Sequence, residues 1–188
     1  MPLSKLDTLA ALVVIDLQKG ITGLPTVHPA AEIIGRAAQL ARTFRERKLP
    51  VVLVNVAGGA PGRTDAGPPK FVRAADWAEL VPELDQQPED HLVTKNTWGA
   101  FLGTDLDPYL RQHKVTQIVL AGIATSIGVE STARSAYDLG YNVVSVTDAM
   151  TDRDADAHRN SVEKIFPRMS ETASTEDVLK ILKSRSDK

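Results

Sequence analysis

The chain has 188 residues, of which 43% are apolar and 24% charged, and it contains no cysteine. At roughly 150 residues per ordinary domain, that length predicts one domain over 1–188 with a core large enough to be covered on two sides. Lys and Arg number 22 against 24 Asp and Glu, a net charge of −2. That balance excludes the basic stripe of a nucleic-acid binder and gives no sign of a membrane-surface partner. No apolar run reaches the roughly 18 residues of a transmembrane helix, and the first residues lack a basic-then-apolar secretory pattern. A cytoplasmic protein is therefore expected. Without cysteine there is no disulfide, thiolate metal site or thiol nucleophile.

Along the chain, short β-branched apolar runs alternate with longer helical patterns, the rhythm of parallel βαβ units in an α/β fold. Leu12-Val13-Val14-Ile15 is apolar throughout, as in a strand covered on both faces. Ala30 to Arg47 places Ile33, Ile34, Ala37, Leu40, Ala41 and Phe44 on one helical face. Pro50 ends that helix and opens a strand over Val51-Val52-Leu53-Val54, and residues 91–95 form a weaker third strand. Thr104 with Asp107 resembles a capped helix start leading through Leu106, Tyr109 and Leu110. Ile118 to Ala121 is a fourth strand, followed by a helix over 128–139 with Gly140 just past its end. Asn142 to Val146 is a fifth strand, and Asp156 to Phe166 a helix stopped by Pro167. A short edge strand near 169–173 precedes a last helix, for which Ser174 and Asp177 form a capping box. Residues 57–70 are too rich in Gly and Pro for a helix or central strand. They read either as a surface insertion or as a lid over a site at the strand ends.

Ligands of an open parallel sheet sit beyond the carboxyl ends of its strands, where strand order reverses. Polar residues that end buried strands are therefore the first candidates: Asp16, Asn55, Lys95, the 122–128 segment and Asp148. Each has a structural alternative. Asp16 can cap the loop at Gln18-Lys19-Gly20, Asp148 can cap a turn, Lys95 can be a solvated strand end, and Trp98 and Phe101 can be core. The small residues of Gly122-Ile123-Ala124-Thr125-Ser126-Ile127-Gly128 suit a tight strand-to-helix turn whose backbone N–H groups could hold an anion. No nucleophile elbow or phosphate loop is present. The four histidines, His28, His91, His113 and His158, show no i, i+4 pair, so no metal site and no cofactor is expected. His158 reads as a partly exposed helix residue.

Several segments occur together in fixed order: Val13-Val14-Ile15-Asp16-Leu17-Gln18, Thr94-Lys95 with Gly99-Ala100-Phe101, Ala121-Gly122-Ile123-Ala124-Thr125, Val129-Glu130-Ser131-Thr132-Ala133-Arg134, and Asp148-Ala149. This set, spanning about residues 9–182, resembles the isochorismatase-like hydrolase superfamily. The resemblance is stronger to its YecD-like branch, through Trp98-Gly99-Ala100-Phe101 and Ile127-Gly128-Val129-Glu130-Ser131. It implies a Rossmann-like three-layer α/β/α sandwich with a six-stranded parallel sheet in the order 3-2-1-4-5-6, assembled as a homodimer or homotetramer. Most such proteins use an Asp-Lys-Cys triad. Asp16 and Lys95 match its first two members, and Gly128 stands where the nucleophilic cysteine would be. The resemblance further implies a cis Ile123–Ala124 peptide, with Ala124 and Gly128 cradling an anion.

These residues predict a hydrolase that works without a covalent intermediate. Asp16 would act as an acid that protonates the vinyl carbon of an enol ether such as isochorismate, while Lys95 holds a substrate anion. Asn55, Trp98 and Phe101 are placed with Ala124 and Gly128 as substrate-binding residues. In the free site the Lys95 cation is expected to outweigh burial and keep Asp16 ionised. Two alternatives stand beside this: water activated by Asp16 attacking an amide, and a non-catalytic binding protein that has kept the pocket. Phe71, Trp77, Leu80 and Val81 are expected either to cover a neighbour's site entrance or to pack on their own core. Gly128→Cys is expected to leave folding largely intact if the position tolerates a side chain in related chains.

Overall fold

Strands β1 (Ala10–Ile15), β2 (Val51–Val56), β3 (His91–Lys95), β4 (Gln117–Ile123), β5 (Asn142–Thr151) and β6 (Glu171–Ala173) form one sheet in the order β3-β2-β1-β4-β5-β6. Every pairing is parallel. The structure is a computed structural model and describes residues 3–65, 67 and 73–184. Helices α1 (Lys19–Thr22), α2 (Ala30–Glu46), α3 (Leu106–Gln112), α4 (Glu130–Asp138), α5 (Ala155–Asn160) and α6 (Thr175–Ser184) complete the fold. Among the described residues no helix is long and apolar enough to cross a membrane.

Strand parity divides the core into two layers. Leu12 and Val14 of β1, with Val51 and Leu53 of β2, face Ile33, Leu40 and Phe44 of α2 and Leu182 of α6. Val13 and Ile15, with Val52 and Val54, face Leu110 of α3 and Ala133 and Ala136 of α4. Successive side chains of a strand point to opposite faces, so strands buried on both sides must be apolar at every position. All six residues of β1 are buried accordingly.

The sequence expectations need correction at three boundaries. β5 continues to Thr151 because a register shift opposite Leu120 and Gly122 lets the strand bulge and resume at Met150. The bulge turns Asp148 away from the strand ends, and its Oδ1 accepts from Thr175 N at 2.7 Å and Thr175 Oγ1 at 2.9 Å. Thr104 is not paired with Asp107 in a box. Its Oγ1 accepts from Leu106 N at 3.3 Å and donates to Ala100 O, while Asp107 takes Arg111 and the Tyr141 hydroxyl. The 155–165 helix begins under an Asp154 cap, widens to a π turn over Ser161–Ile165, and passes into a 3-10 turn containing Pro167. The Ser174–Asp177 box forms as expected, with Ser174 N donating to Asp177 Oδ2 at 3.0 Å and Asp177 N to Ser174 Oγ at 3.1 Å.

Candidate active site

Order reverses between β1 and β4, whose carboxyl ends lie side by side with Ile15 opposite Gly122. Asp16 leaves β1 at φ 53°, a left-handed turn that Asp tolerates better than most residues. Gly122, at φ 127°, lies so close to Ile15 that a Cβ there would stand 2.0 Å from the Ile15 carbonyl oxygen. A hydrogen at this position is what permits the two strand ends to meet.

Lys95 comes from the end of β3, beyond β2, and shares the parity of Val93. Its side chain crosses under β2 and places Nζ 2.8 Å from Asp16 Oδ2 and 3.2 Å from Thr97 O. Both residues are nearly sealed, Lys95 at 2% and Asp16 at 4% exposure. Asp16 Oδ1 is buried and takes no hydrogen bond from a described residue. Burial therefore outweighs the Lys95 charge and the Lys95 hydrogen bond, and the Asp16 carboxyl is raised to about 6. The expectation that the cation would win is overturned here, because Lys95 reaches one carboxylate oxygen and leaves the other desolvated. The alternative in which Asp16 caps the 18–20 loop also fails, since its side chain turns inward to Lys95.

A cavity of about 220 Å³ opens over this pair. Asp16, Lys95, Trp98, Ala124 and Gly128 all line it, with Ile21, Leu24, Val56, Ile123, Ile127 and Arg153. The Ile123–Ala124 peptide at its wall is cis. Gly58 and Gly59 also line the cavity, so the start of the 57–70 segment borders the site; residues 66 and 68–70 lie outside the described residues.

Two expected binding residues are not brought to the cavity. Asn55 has the parity of Val51 and Leu53, so it points to the α2 side, donating to Ala78 O at 2.8 Å and lining a separate cleft. Val56, one residue on, takes the place expected of it. Phe101 is turned away because Ala100 N is tied to Thr132 Oγ1 at 3.1 Å, which directs the next ring against Tyr141. A side chain at Gly128 needs its neighbours to adjust. A Cβ there would stand 2.9 Å from Ile15 Cγ2 and 3.1 Å from Asp16 Oδ2, so Ile15 must shift to admit it.

Two polar residues escaped the sequence reading. Asp152, 3% exposed, accepts from Ser126 N at 2.7 Å and Ser126 Oγ at 2.8 Å and so pins the turn after β4. Arg153 follows it at the cavity wall. The rule that strand ends carry polar site residues would have found both, had β5 been read to Thr151. His158 is the partly exposed helix residue expected, on α5, with its Nδ1 2.9 Å from Thr125 Oγ1 and its ring edge-on to His28. Burial, and secondarily the neighbouring His28, hold it below the usual histidine value.

Residues 10–177 match the family described as isochorismatase domain. The chain is 44% identical over 180 residues to the uncharacterized isochorismatase family protein YwoC of Bacillus subtilis (strain 168), covering 92% of this chain and 94% of that one. It is 42% identical over 181 residues to YecD of Escherichia coli O157:H7, covering 92% and 95%. An isochorismatase family protein from Burkholderia thailandensis superposes with a TM-score of 0.91 at 44% identity, over 96% of this chain and 98% of that one. A ureidoacrylate amidohydrolase from Variovorax paradoxus (strain S110) is 31% identical, over 74% and 68%. With the fold, strand order and site segments in agreement, the chain belongs to the isochorismatase family.

Proposed function

We propose that this isochorismatase-family hydrolase cleaves a small enol ether, isochorismate being the first substrate to try, with Asp16 as general acid. The observation that carries the reading is the raised Asp16 carboxyl, which leaves a buried acid partly protonated near neutral pH beside an apolar cavity. Asp16 gives its proton to the vinyl CH₂ carbon. The resulting oxocarbenium carbon takes up water, and the hemiketal collapses by breaking the ether C–O bond, the alcohol leaving with a proton. No enzyme nucleophile enters these steps, consistent with a chain that has no cysteine. Lys95 holds Asp16 Oδ2 and fixes the carboxyl at the cavity. The Ala124 and Gly128 backbone, which also lines the cavity, would receive an anionic group. We prefer this role for Lys95 to anion binding, because the ammonium is sealed and two of its three donors are taken within the chain.

The similarity to an amidohydrolase favours a second reading, in which ionised Asp16 activates water on an amide. The pH profile separates the two. An acid of pKa about 6 in the free site gives a kcat/KM that falls about tenfold per pH unit above that value, whereas a base gives one that rises through it to a plateau. A profile flat from about pH 5 to about pH 8 with every substrate removes Asp16 from either role.

The chain is also proposed to act as a homodimer or homotetramer on a small-molecule substrate. Trp77, Leu80 and Val81 do not supply a free face: Trp77 lies over Gly20 under the Arg73 guanidinium, Leu80 bridges to Gln18, and Val81 is in the core. Phe71 lies outside the described residues. Among the described residues the most exposed large apolar side chains are instead Trp98, at 65%, and Leu102, at 73%, both on the loop beside the cavity. Light scattering should report a multiple of 20.3 kDa, and Trp98→Ser with Leu102→Ser should shift it toward the single-chain mass. A particle of single-chain mass at micromolar concentration would sink this proposal.

A further inference from the structure

We infer that Arg153 anchors a carboxylate of the substrate, so that the cavity selects small acids carrying their hydrolysable group at the far end from that carboxylate. The inference rests on the hydrolase reading above and adds to it the charge and polarity of the ligand. Among the described residues, Lys95 and Arg153 are the two cationic side chains lining the cavity. Lys95 is sealed, and two of its three N–H donors are held by Asp16 Oδ2 and Thr97 O, so it offers an incoming anion one donor at most.

Arg153 is in the opposite condition. It is exposed, and its guanidinium has no hydrogen bond or ion pair with a described residue. Three carboxylates lie within three residues of it, and each is turned elsewhere. Asp152 Oδ2 holds Ser126, and its Oδ1 takes the backbone N–H of Arg153 itself. Asp154 Oδ1 caps α5 through Asp156 N and Ala157 N, and Asp156 pairs with Arg159 at 2.6 Å. The other cations near the cavity segments are also engaged: Arg73 with Ala57 O and Gly58 O, and Lys19 with Asp76 and Glu79. A planar fork of donors left open beside an apolar pocket suits a carboxylate, which it can bind through two parallel hydrogen bonds.

Position along the fold strengthens the assignment. The bulge in β5 brings Arg153 to the site end of the sheet, and the Asp152 contacts to Ser126 and Arg153 N tie its backbone to the turn carrying Ala124 and Gly128. The remaining wall is largely aliphatic and aromatic, from Ile21, Leu24, Val56, Trp98 and Ile127. At about 220 Å³ the space is below the roughly 300–1,000 Å³ of drug-sized pockets, which limits the ligand to metabolite size.

The test is calorimetric titration of benzoate and benzamide, a matched acid and amide, into wild type and Arg153→Gln near neutral pH. Wild type should bind benzoate at least about tenfold more tightly than benzamide, and Arg153→Gln should reduce that preference to about twofold or less. Arg153→Lys should retain part of the preference, since it keeps the charge and loses the fork. The side chain is exposed, so these variants should fold as wild type does. No preference in wild type, no measurable binding of benzoate at millimolar concentration, or a preference that survives Arg153→Gln overturns the assignment. Because binding is read without turnover, a wild type that hydrolyses nothing counts against the hydrolase reading alone. Hydrolysis without any acid preference counts against Arg153 alone.

Discussion

Asp16→Asn should lower turnover of an enol ether by about 10²–10⁴-fold while leaving the binding of unreactive ligands close to wild type, as measured by steady-state kinetics beside calorimetric titration. The amide is nearly isosteric with the carboxyl, and its oxygen can still accept from Lys95 Nζ, which now donates to Asp16 Oδ2 at 2.8 Å. What it lacks is a proton that can be given to carbon and recovered. An interaction made only in the transition state lowers kcat and kcat/KM together, whereas a binding contact would raise KM. Asp16→Asn retaining full activity removes the carboxyl from the mechanism. A wild type that turns over neither isochorismate nor a panel of small amides, yet binds them, identifies a binding protein that has kept the family pocket.

The second large effect concerns stability. Lys95→Met keeps a long unbranched side chain in a position that is 2% exposed, but leaves Asp16 with no cation and Thr97 O with no Nζ donor. Removing one partner of a buried ion pair costs about 3–5 kcal/mol, much of it from the charge left behind. Lys95 is the source of both influences that lower the Asp16 carboxyl against burial. Without it that carboxyl rises further above 6. Between the unfolded value of 3.8 and the folded value, the folded chain holds a proton that the unfolded chain has released. Stability is then fully present below the unfolded value and falls as pH rises through this window. Lys95→Met widens the window upward, so its deficit in denaturant midpoint should be larger at about pH 8 than at about pH 5. The Asp16→Asn, Lys95→Met double variant should recover part of the loss, because no charge remains buried. An equal deficit at both pH values would show that the lost stability comes from packing and not from the stranded carboxyl.

The residues that could be read in advance are those whose role follows from local pattern. Asp16 and Lys95 each end an apolar strand, and the rule that parallel sheets bind at their carboxyl ends brings both to one place once strand order is known. The helical face of Ile33, Ala37, Leu40 and Phe44 follows from spacing alone. Asn55 was misplaced by the same rule applied without parity: it ends a buried strand too, but on the face with Val51 and Leu53, away from Lys95. The end of β5 was misread for a different reason, although the capping alternative for Asp148 matches its contacts to Thr175. The polar Thr147 and Asp148 at the bulge interrupt the apolar run, so β5 was cut at Val146 and its true end, with Asp152 and Arg153 just beyond, was lost.

The amino-acid sequence by itself determined the α/β alternation, the strand and helix sequence, the absence of a thiol and the two residues at the centre of the site. These depend on short-range periodicity and on residue chemistry, which a linear chain displays directly. Tertiary structure decided which way the Asp16 carboxyl moves, which residues wall the cavity and which cation is left open. Burial of Oδ1 and of Lys95 depends on several strands and loops closing over the pair, and desolvation of that kind is set by neighbours remote in the chain. Arg153 stands open for the same reason: the carboxylates beside it in sequence are claimed by Ser126, by the α5 backbone and by Arg159, contacts that only the folded chain brings together.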